Sequence, residues 1–352
     1  MAHYIDSFPG REIIVEGQKH LYFGGTSYLG LQTDKAFQEI FIENIKKYGT
    51  NYGASRNSNV RLSIFDKAET YLSRFVGSES ALTMSSGYLA GQLLVQHFAT
   101  REHRLFYAPN SHSALFTNKT KAYTTYTALS ISLHEHLKKN KNIVPVVLLD
   151  SIDFSGCNYP DFGGLQTLPL DKVILIADDS HGIGVIGQSG NGVYKTLQKL
   201  RPKELLVCCS LGKGFGVQAG ALYGTRKRIE KLMATDFFGG ASPAAPAALA
   251  SVLEGEHIFI SQREKLKRNI ELFVSGLKVE KQFLFMKDHP AFTFANEGLA
   301  SHLKKNKIIT TNFRYPSDVG KAKSRIILGA QHTSEDILTL STRIGEYNFR
   351  VP

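Results

Sequence analysis

Three short runs in the middle of the chain are apolar without alternation. Ile143–Leu149 ends at Asp150, Val173–Ala177 ends at Asp178, and Leu205–Cys209 ends at Ser210. Such runs suit strands buried on both faces, the habit of a mainly parallel sheet covered by helices. Around them, apolar residues recur at helical spacing in Lys35–Tyr48, Ile64–Phe75 and Ser261–Leu277. Gly87–Phe98 reads as a helix entered from a Ser85-Ser86-Gly87 turn, and a last helix is predicted over Ser334–Gly345 with Ser334 as its N-cap. Ala291–Ala295 and Arg325–Leu328 read as strands of a second, smaller sheet. The pattern predicts an α/β fold with a mainly parallel central sheet flanked by helices, and a smaller α+β C-terminal domain. The expected division is a large domain over 48–236, a small domain over 237–352, and an N-terminal segment, 1–47, packing with the small domain.

Composition narrows the class. With 352 residues, 42% of them hydrophobic, the chain can bury a large core and divide into two domains. Gly at 31 and Pro at 11 fit neither a collagen-like nor a disordered chain. Met1–Phe8 has no apolar run behind a basic head, and no stretch approaches the roughly 20 apolar residues of a membrane span. A cytoplasmic protein is expected. The three cysteines, Cys157, Cys208 and Cys209, make no disulfide framework and read as core thiols of a reducing compartment. No zinc spacing occurs, so no metal is expected.

Against 31 Asp and Glu stand 42 Lys and Arg, a net charge of +11. Such a balance suits nucleic acid, a membrane surface or a polyanionic small molecule, although most basic surfaces are simply solvated. The densest cluster, His136–Lys141, has no interleaved aromatic residue and reads as a helix end, where cations suit the dipole. Nucleic-acid binding is therefore not expected.

Four segments carry chemistry. In Ser210-Leu211-Gly212-Lys213-Gly214-Phe215-Gly216 a lysine stands just past a buried strand, flanked by glycines. A desolvated lysine amine forms Schiff bases with carbonyls, and the spacing of a nucleotide-binding P-loop is missing. Asp178-Asp179-Ser180-His181 follows another strand. A carboxylate at Asp178 would keep the ring nitrogen of pyridoxal phosphate (PLP) protonated, and His181 would reach its phenolic oxygen. The turn Ser86-Gly87-Tyr88 opens a helix whose amides suit a phosphate, with the Ser210 hydroxyl as a further donor. His112 offers an aromatic face and a titratable ring, although a lone histidine is more often structural.

In this order the four segments resemble the α-oxoamine synthase family of fold-type I PLP-dependent enzymes. The resemblance also rests on Tyr28-Leu29-Gly30-Leu31, Gly53-Ala54-Ser55-Arg56, Arg325 and Ala330-Gln331-His332-Thr333. It implies Lys213 as Schiff-base lysine and proton carrier, Asp178 on the pyridinium and His181 on the phenolic oxygen. His112 would stack on the ring, Ser86, Gly87, Tyr88 and Ser210 would lie at the phosphate, and Arg325 would bind the amino-acid carboxylate. The implied reaction condenses a small amino acid with an acyl-CoA, with loss of carbon dioxide, in a homodimer with the site at the subunit interface. Departures surround this core. Thr26-Ser27 precede Tyr28 where the family has Asn, Val60 and Phe65 stand for Gly and His, and Phe238-Gly239-Gly240 replaces F-S-T, with Ser242 as the substitute. These leave the acyl donor open. The competing readings are an aminotransferase, an aldolase or a synthase with another donor on the same fold, and a non-catalytic binding protein. Retention of Lys213, Asp178 and His181 argues against the last.

Overall fold

The computed structural model describes residues 3–117, 121–277, 279–314 and 322–349. Its strands are β1 (Glu12–Val15), β2 (Gln18–Phe23), β3 (Ser80–Met84), β4 (His103–Tyr107), β5 (Val144–Asp150) and β6 (Ile174–Asp178). They continue with β7 (Glu204–Ser210), β8 (Gly220–Gly224), β9 (Leu284–Phe285), β10 (Ala291–Phe294), β11 (Ile308–Arg314) and β12 (Ala322–Ile327). By contact the chain forms two units. One comprises 39–153 and 157–256, the other 1–38, 154–156 and 257–352.

The larger unit holds a six-stranded sheet in the order β3-β8-β7-β6-β5-β4. Strands β4 to β7 run parallel, while β8 is antiparallel to both β7 and β3. All of β6 is buried, as is the centre of β5 and of β7, which explains their unbroken apolar runs. One face of the sheet packs on the helix Gly87–Phe98 through Leu94, Phe98, Val146, Leu148, Leu206 and Leu222. Each such side chain contributes about 1.5–3 kcal/mol on burial. This unit reaches Glu256, whereas the large domain drawn from sequence stops at Asp236. The helix Pro246–Glu254 supplies a reason, because Asn44 donates to Ser251 Oγ at 3.4 Å and to Glu254 at 3.0 Å.

In the smaller unit the sheet order is β1-β2-β11-β12-β10-β9, with β2 and β11 parallel and the other pairs antiparallel. The helix Glu256–Gly276 lays Phe273 against Phe292 of β10, ring centroids 4.7 Å apart. The last helix covers the predicted Ser334–Gly345, but its N-cap is Thr333, not Ser334. The physical reason is reciprocity. Thr333 accepts from the amide of Asp336 and donates its own amide to the Asp336 carboxylate, which closes a capping box. Arg11 adds a bidentate pair to Asp336 at 2.6 and 2.7 Å. A second correction concerns the cysteines: Cys208 and Cys209 are buried in β7, but Cys157 lies in an exposed loop. Among the described residues, no helix is long and apolar enough to cross a membrane.

Candidate active site

Within the larger unit the parallel register levels the ends of three strands. Asp150 pairs with Asp178 across β5 and β6, and Asp178 pairs with Cys208, two residues before Ser210. Neighbouring strands lie about 4.8 Å apart, so two carboxyl groups and the chain leading to Lys213 meet at one sheet edge. Ligands of open α/β sheets bind beyond the carboxyl ends of the strands, where these residues stand.

Lys213 follows β7 in the short helix Leu211–Gly214, and its Nζ lies 2.9 Å from His181 Nε2. Burial lowers its pKa, while Asp178 and Asp150 pull it back up. The amine is thereby held closer to its nucleophilic, neutral form than a surface lysine. Asp178 is 8% exposed, and its Oδ1 accepts from the Ser180 amide at 2.8 Å. Ser180 Oγ in turn accepts from the Ser210 amide at 2.8 Å, which ties the loop after β6 to the end of β7.

Of the phosphate candidates, Ser86, Gly87 and Ser210 lie together. Ser86 caps the helix Gly87–Phe98, its Oγ accepting from Leu89 N at 3.2 Å. A Cβ at Gly87 would stand 2.6 Å from Ser210 N, so the missing side chain lets the helix start lie directly against the loop that carries Lys213. The first amides of this helix have no intrahelical acceptor, and they sit at its positive end. Ser210 Oγ accepts from Gly212 N at 3.2 Å. Tyr88, 59% exposed, points away from the core.

His112 is exposed and is held through both its backbone and its ring. Its amide donates to Asp150 Oδ1 at 3.1 Å, and its Nδ1 accepts from Ala114 N at 3.1 Å. Asp150, a candidate in the sequence by its position alone, thus joins the site. Burial raises its pKa well above the ordinary carboxyl value, Asp178 raises it further, and the His112 amide partly offsets both. Position at a strand end was its only sequence signal. Asp179, its neighbour in the next loop, is fully enclosed and serves structure. It accepts from Ser151 Oγ at 2.6 Å and Val193 N at 3.0 Å, and burial pushes it up to about 7.

These residues fit a phosphorylated pyridine aldehyde: a desolvated amine, a buried carboxylate for a ring nitrogen, and a helix start with a hydroxyl for the phosphate. Arg325 belongs to the other unit. It lies on β12 with its guanidinium 3.7 Å from the centre of the Phe154 ring, and its buried Nε has no hydrogen-bond partner. Burial lowers its pKa. Among the described residues no group of three His, Cys, Asp or Glu side chains could hold a metal ion.

Comparison with known proteins agrees with this reading. The family model "Aminotransferase class I and II" matches residues 23–344. The 8-amino-7-oxononanoate synthase of Aliivibrio fischeri is 28% identical over 95% of this chain and 90% of its own length. That of Pectobacterium atrosepticum is also 28% identical, with the same coverage. Among solved structures, a serine palmitoyltransferase from S. paucimobilis with bound PLP superposes with a TM-score of 0.82 at 19% identity, covering 97% of this chain and 91% of that one. The 8-amino-7-oxononanoate synthase of Francisella tularensis gives 0.69 at 20% identity, covering 93% and 97%. The fold is that of the fold-type I PLP-dependent transferases.

Proposed function

The chain belongs to the aminotransferase class I and II family, and from that premise we propose that it is a PLP-dependent acyltransferase of the 8-amino-7-oxononanoate synthase kind. It condenses a small amino acid with an acyl thioester, acyl-CoA in the first instance, and releases carbon dioxide. The observation that carries the assignment is the Lys213 amine, 2.9 Å from His181 and facing the buried Asp178, at the C-terminal edge of the parallel strands.

PLP supplies an aldehyde for amines and a protonated ring that stabilises negative charge on the adjoining carbon. Lys213 Nζ would anchor the cofactor through its aldehyde and serve as the base for the substrate α-proton, and a lowered pKa suits both tasks. Asp178 would hold the ring nitrogen, and Asp150 fixes the loop that presents His112. His181 would contact the phenolic oxygen. Ser86, Gly87, Tyr88 and Ser210 would hold the phosphate, and Arg325 a substrate carboxylate. A homodimer with residues of both subunits at the site, located in the cytoplasm, completes the reading.

The test is the visible spectrum of the PLP-loaded protein, titrated with alanine, glycine, serine and threonine, followed by an acyl-CoA with assay of free thiol. A lysine-bound cofactor band that shifts with one amino acid, and thiol release that needs both substrates, is expected. The Lys213→Ala variant loses the band. A 2-oxo acid product without thiol release would establish an aminotransferase instead, and no band at saturating PLP would overturn the assignment of Lys213.

A further inference from the structure

Arg56 and Glu69 form a buried ion pair in the larger unit, each residue 7% exposed. Two guanidinium nitrogens of Arg56 donate to the two carboxylate oxygens of Glu69, at 2.8 and 3.0 Å. Glu69 lies on the helix Ile64–Val76, which packs on β3. Its Oε1 also accepts from Thr83 N at 2.7 Å and from Thr83 Oγ1 at 2.8 Å. Thr83 is fully buried on β3, the end strand of its sheet. The carboxylate thus covers a backbone donor at the edge of the sheet.

A buried ion pair is a poor source of stability, because both charges give up their hydration to form it. A bidentate pair does fix orientation. Here the orientation bears on the phosphate turn, since Ser86 and the helix Gly87–Phe98 follow directly after β3. That turn has no slack. A Cβ at Gly220 would stand 2.2 Å from Ser86 O, and one at Gly87 2.6 Å from Ser210 N. Close-packed atoms pass a displacement on instead of absorbing it. The other end of the pair is held as firmly. The Arg56 guanidinium lies 4.1 Å from the Phe65 ring centre and 5.6 Å from that of Phe238, and Ser55 Oγ donates to Gly239 O at 2.6 Å.

We infer that the Arg56–Glu69 pair positions the phosphate turn. Acting through Thr83, it sets where Ser86 and the amides that follow it present themselves. Both are positioning residues, and they govern the affinity for the cofactor's phosphate through β3. The inference rests on PLP as the cofactor, with its phosphate at this turn.

The experiment compares PLP with 5′-deoxypyridoxal, which keeps the ring and the aldehyde but has no phosphate. Each is titrated into the protein and followed by the lysine-bound cofactor band. Glu69→Gln puts a donor nitrogen where Arg56 and Thr83 also donate. It should raise the PLP dissociation constant about tenfold, the worth of one hydrogen bond, and that of deoxypyridoxal by less than about twofold. Arg56→Lys, a point charge without the bidentate fork, should do the same. The double variant should lose no more than either single one, because the pair acts as a unit. Thr83→Val removes only the hydroxyl and keeps the amide and the shape, so it carries the test if a charge variant fails to fold by circular dichroism. It should show the same selectivity at about threefold. Equal losses for both ligands in a folded variant would make the pair a general support of the fold and overturn the inference. Unchanged PLP affinity in folded Glu69→Gln would do so too. The wild-type titration is read first and tests PLP itself: a missing band there would overturn the Lys213 assignment and this inference with it, whereas a normal band with unselective variants would overturn this inference alone.

Discussion

Asp179 offers a test of the site's architecture that needs no substrate. Its carboxyl is fully enclosed between β5 and the loop after β6, and burial raises its pKa from 3.8 to about 7. In the unfolded chain the same group titrates near the ordinary value. Between these two values the folded protein holds a proton that the unfolded chain has lost, so stability falls as pH rises. Worked through the linkage relation, this one group removes roughly 2–3 kcal/mol of stability between pH 5 and pH 8. Asp179→Asn mimics the neutral acid. Its carbonyl can accept from Val193 N and its amide can donate to Ser151 Oγ, the two partners that the carboxyl now uses. Urea unfolding of wild type and variant, followed by circular dichroism at intervals from pH 5 to pH 8, gives a difference curve free of the other titrating groups. The variant should gain on the wild type by about that amount as pH rises, with most of the change complete by pH 7. Two parallel stability profiles would mean that Asp179 is already ionised at pH 5, and would refute the account of its burial.

Two further perturbations probe the frame. Gly87→Ala places a methyl group 2.6 Å from Ser210 N, against backbone that cannot turn aside. It should cost about 1–3 kcal/mol in unfolding free energy and raise the PLP dissociation constant, measured by the return of the cofactor band on titration. Asp336→Asn removes the charged partner of Arg11 and half of the capping box. For Asp336, burial pushes the pKa up, but the hydrogen bonds from Arg11 and Thr333 bring it below the ordinary carboxyl value. Its stabilisation is therefore present above the unfolded pKa and lost as pH falls through the folded one. The substitution should cost about 1–2 kcal/mol at pH 7, and the gap to wild type should narrow below pH 4 in the same unfolding assay.

The elements that carry the site were the easiest to read from sequence. Lys35–Tyr48, Gly87–Phe98 and Ser334–Gly345 coincide with the observed helices, and the runs that end at Asp150, Asp178 and Ser210 are strands in the structure. Burial on both faces leaves an unbroken apolar signature, and these strands have it. Two other strands of the same sheet lack it. β8 reads Gly-Ala-Leu-Tyr-Gly, with glycines that usually mark turns, and β4 begins with His103 and Arg104 at the solvent. The Thr333 cap was legible in principle, since Asp336 falls three places after Thr333 whereas Ile337 falls three places after Ser334. Cys157 was misplaced because a lone thiol in a loop carries no pattern of its own.

What sequence could not weigh was the difference between the three aspartates. Asp150, Asp178 and Asp179 look alike as polar residues after apolar runs, yet the sheet gives them separate surroundings. Asp178 and Asp150 end adjacent strands in register, so their side chains project to the same side. One position further along, the chain turns Asp179 to the opposite side, against Ser151 and Val193. Burial and the neighbouring Asp178 both push the pKa of Asp150 up. A one-residue slip of β5 against β6 would put Ser151 in place of Asp150 and remove the anchor for His112. The chemistry of the site is therefore fixed by strand register, a pairwise property of segments far apart in the chain that no single run of residues displays.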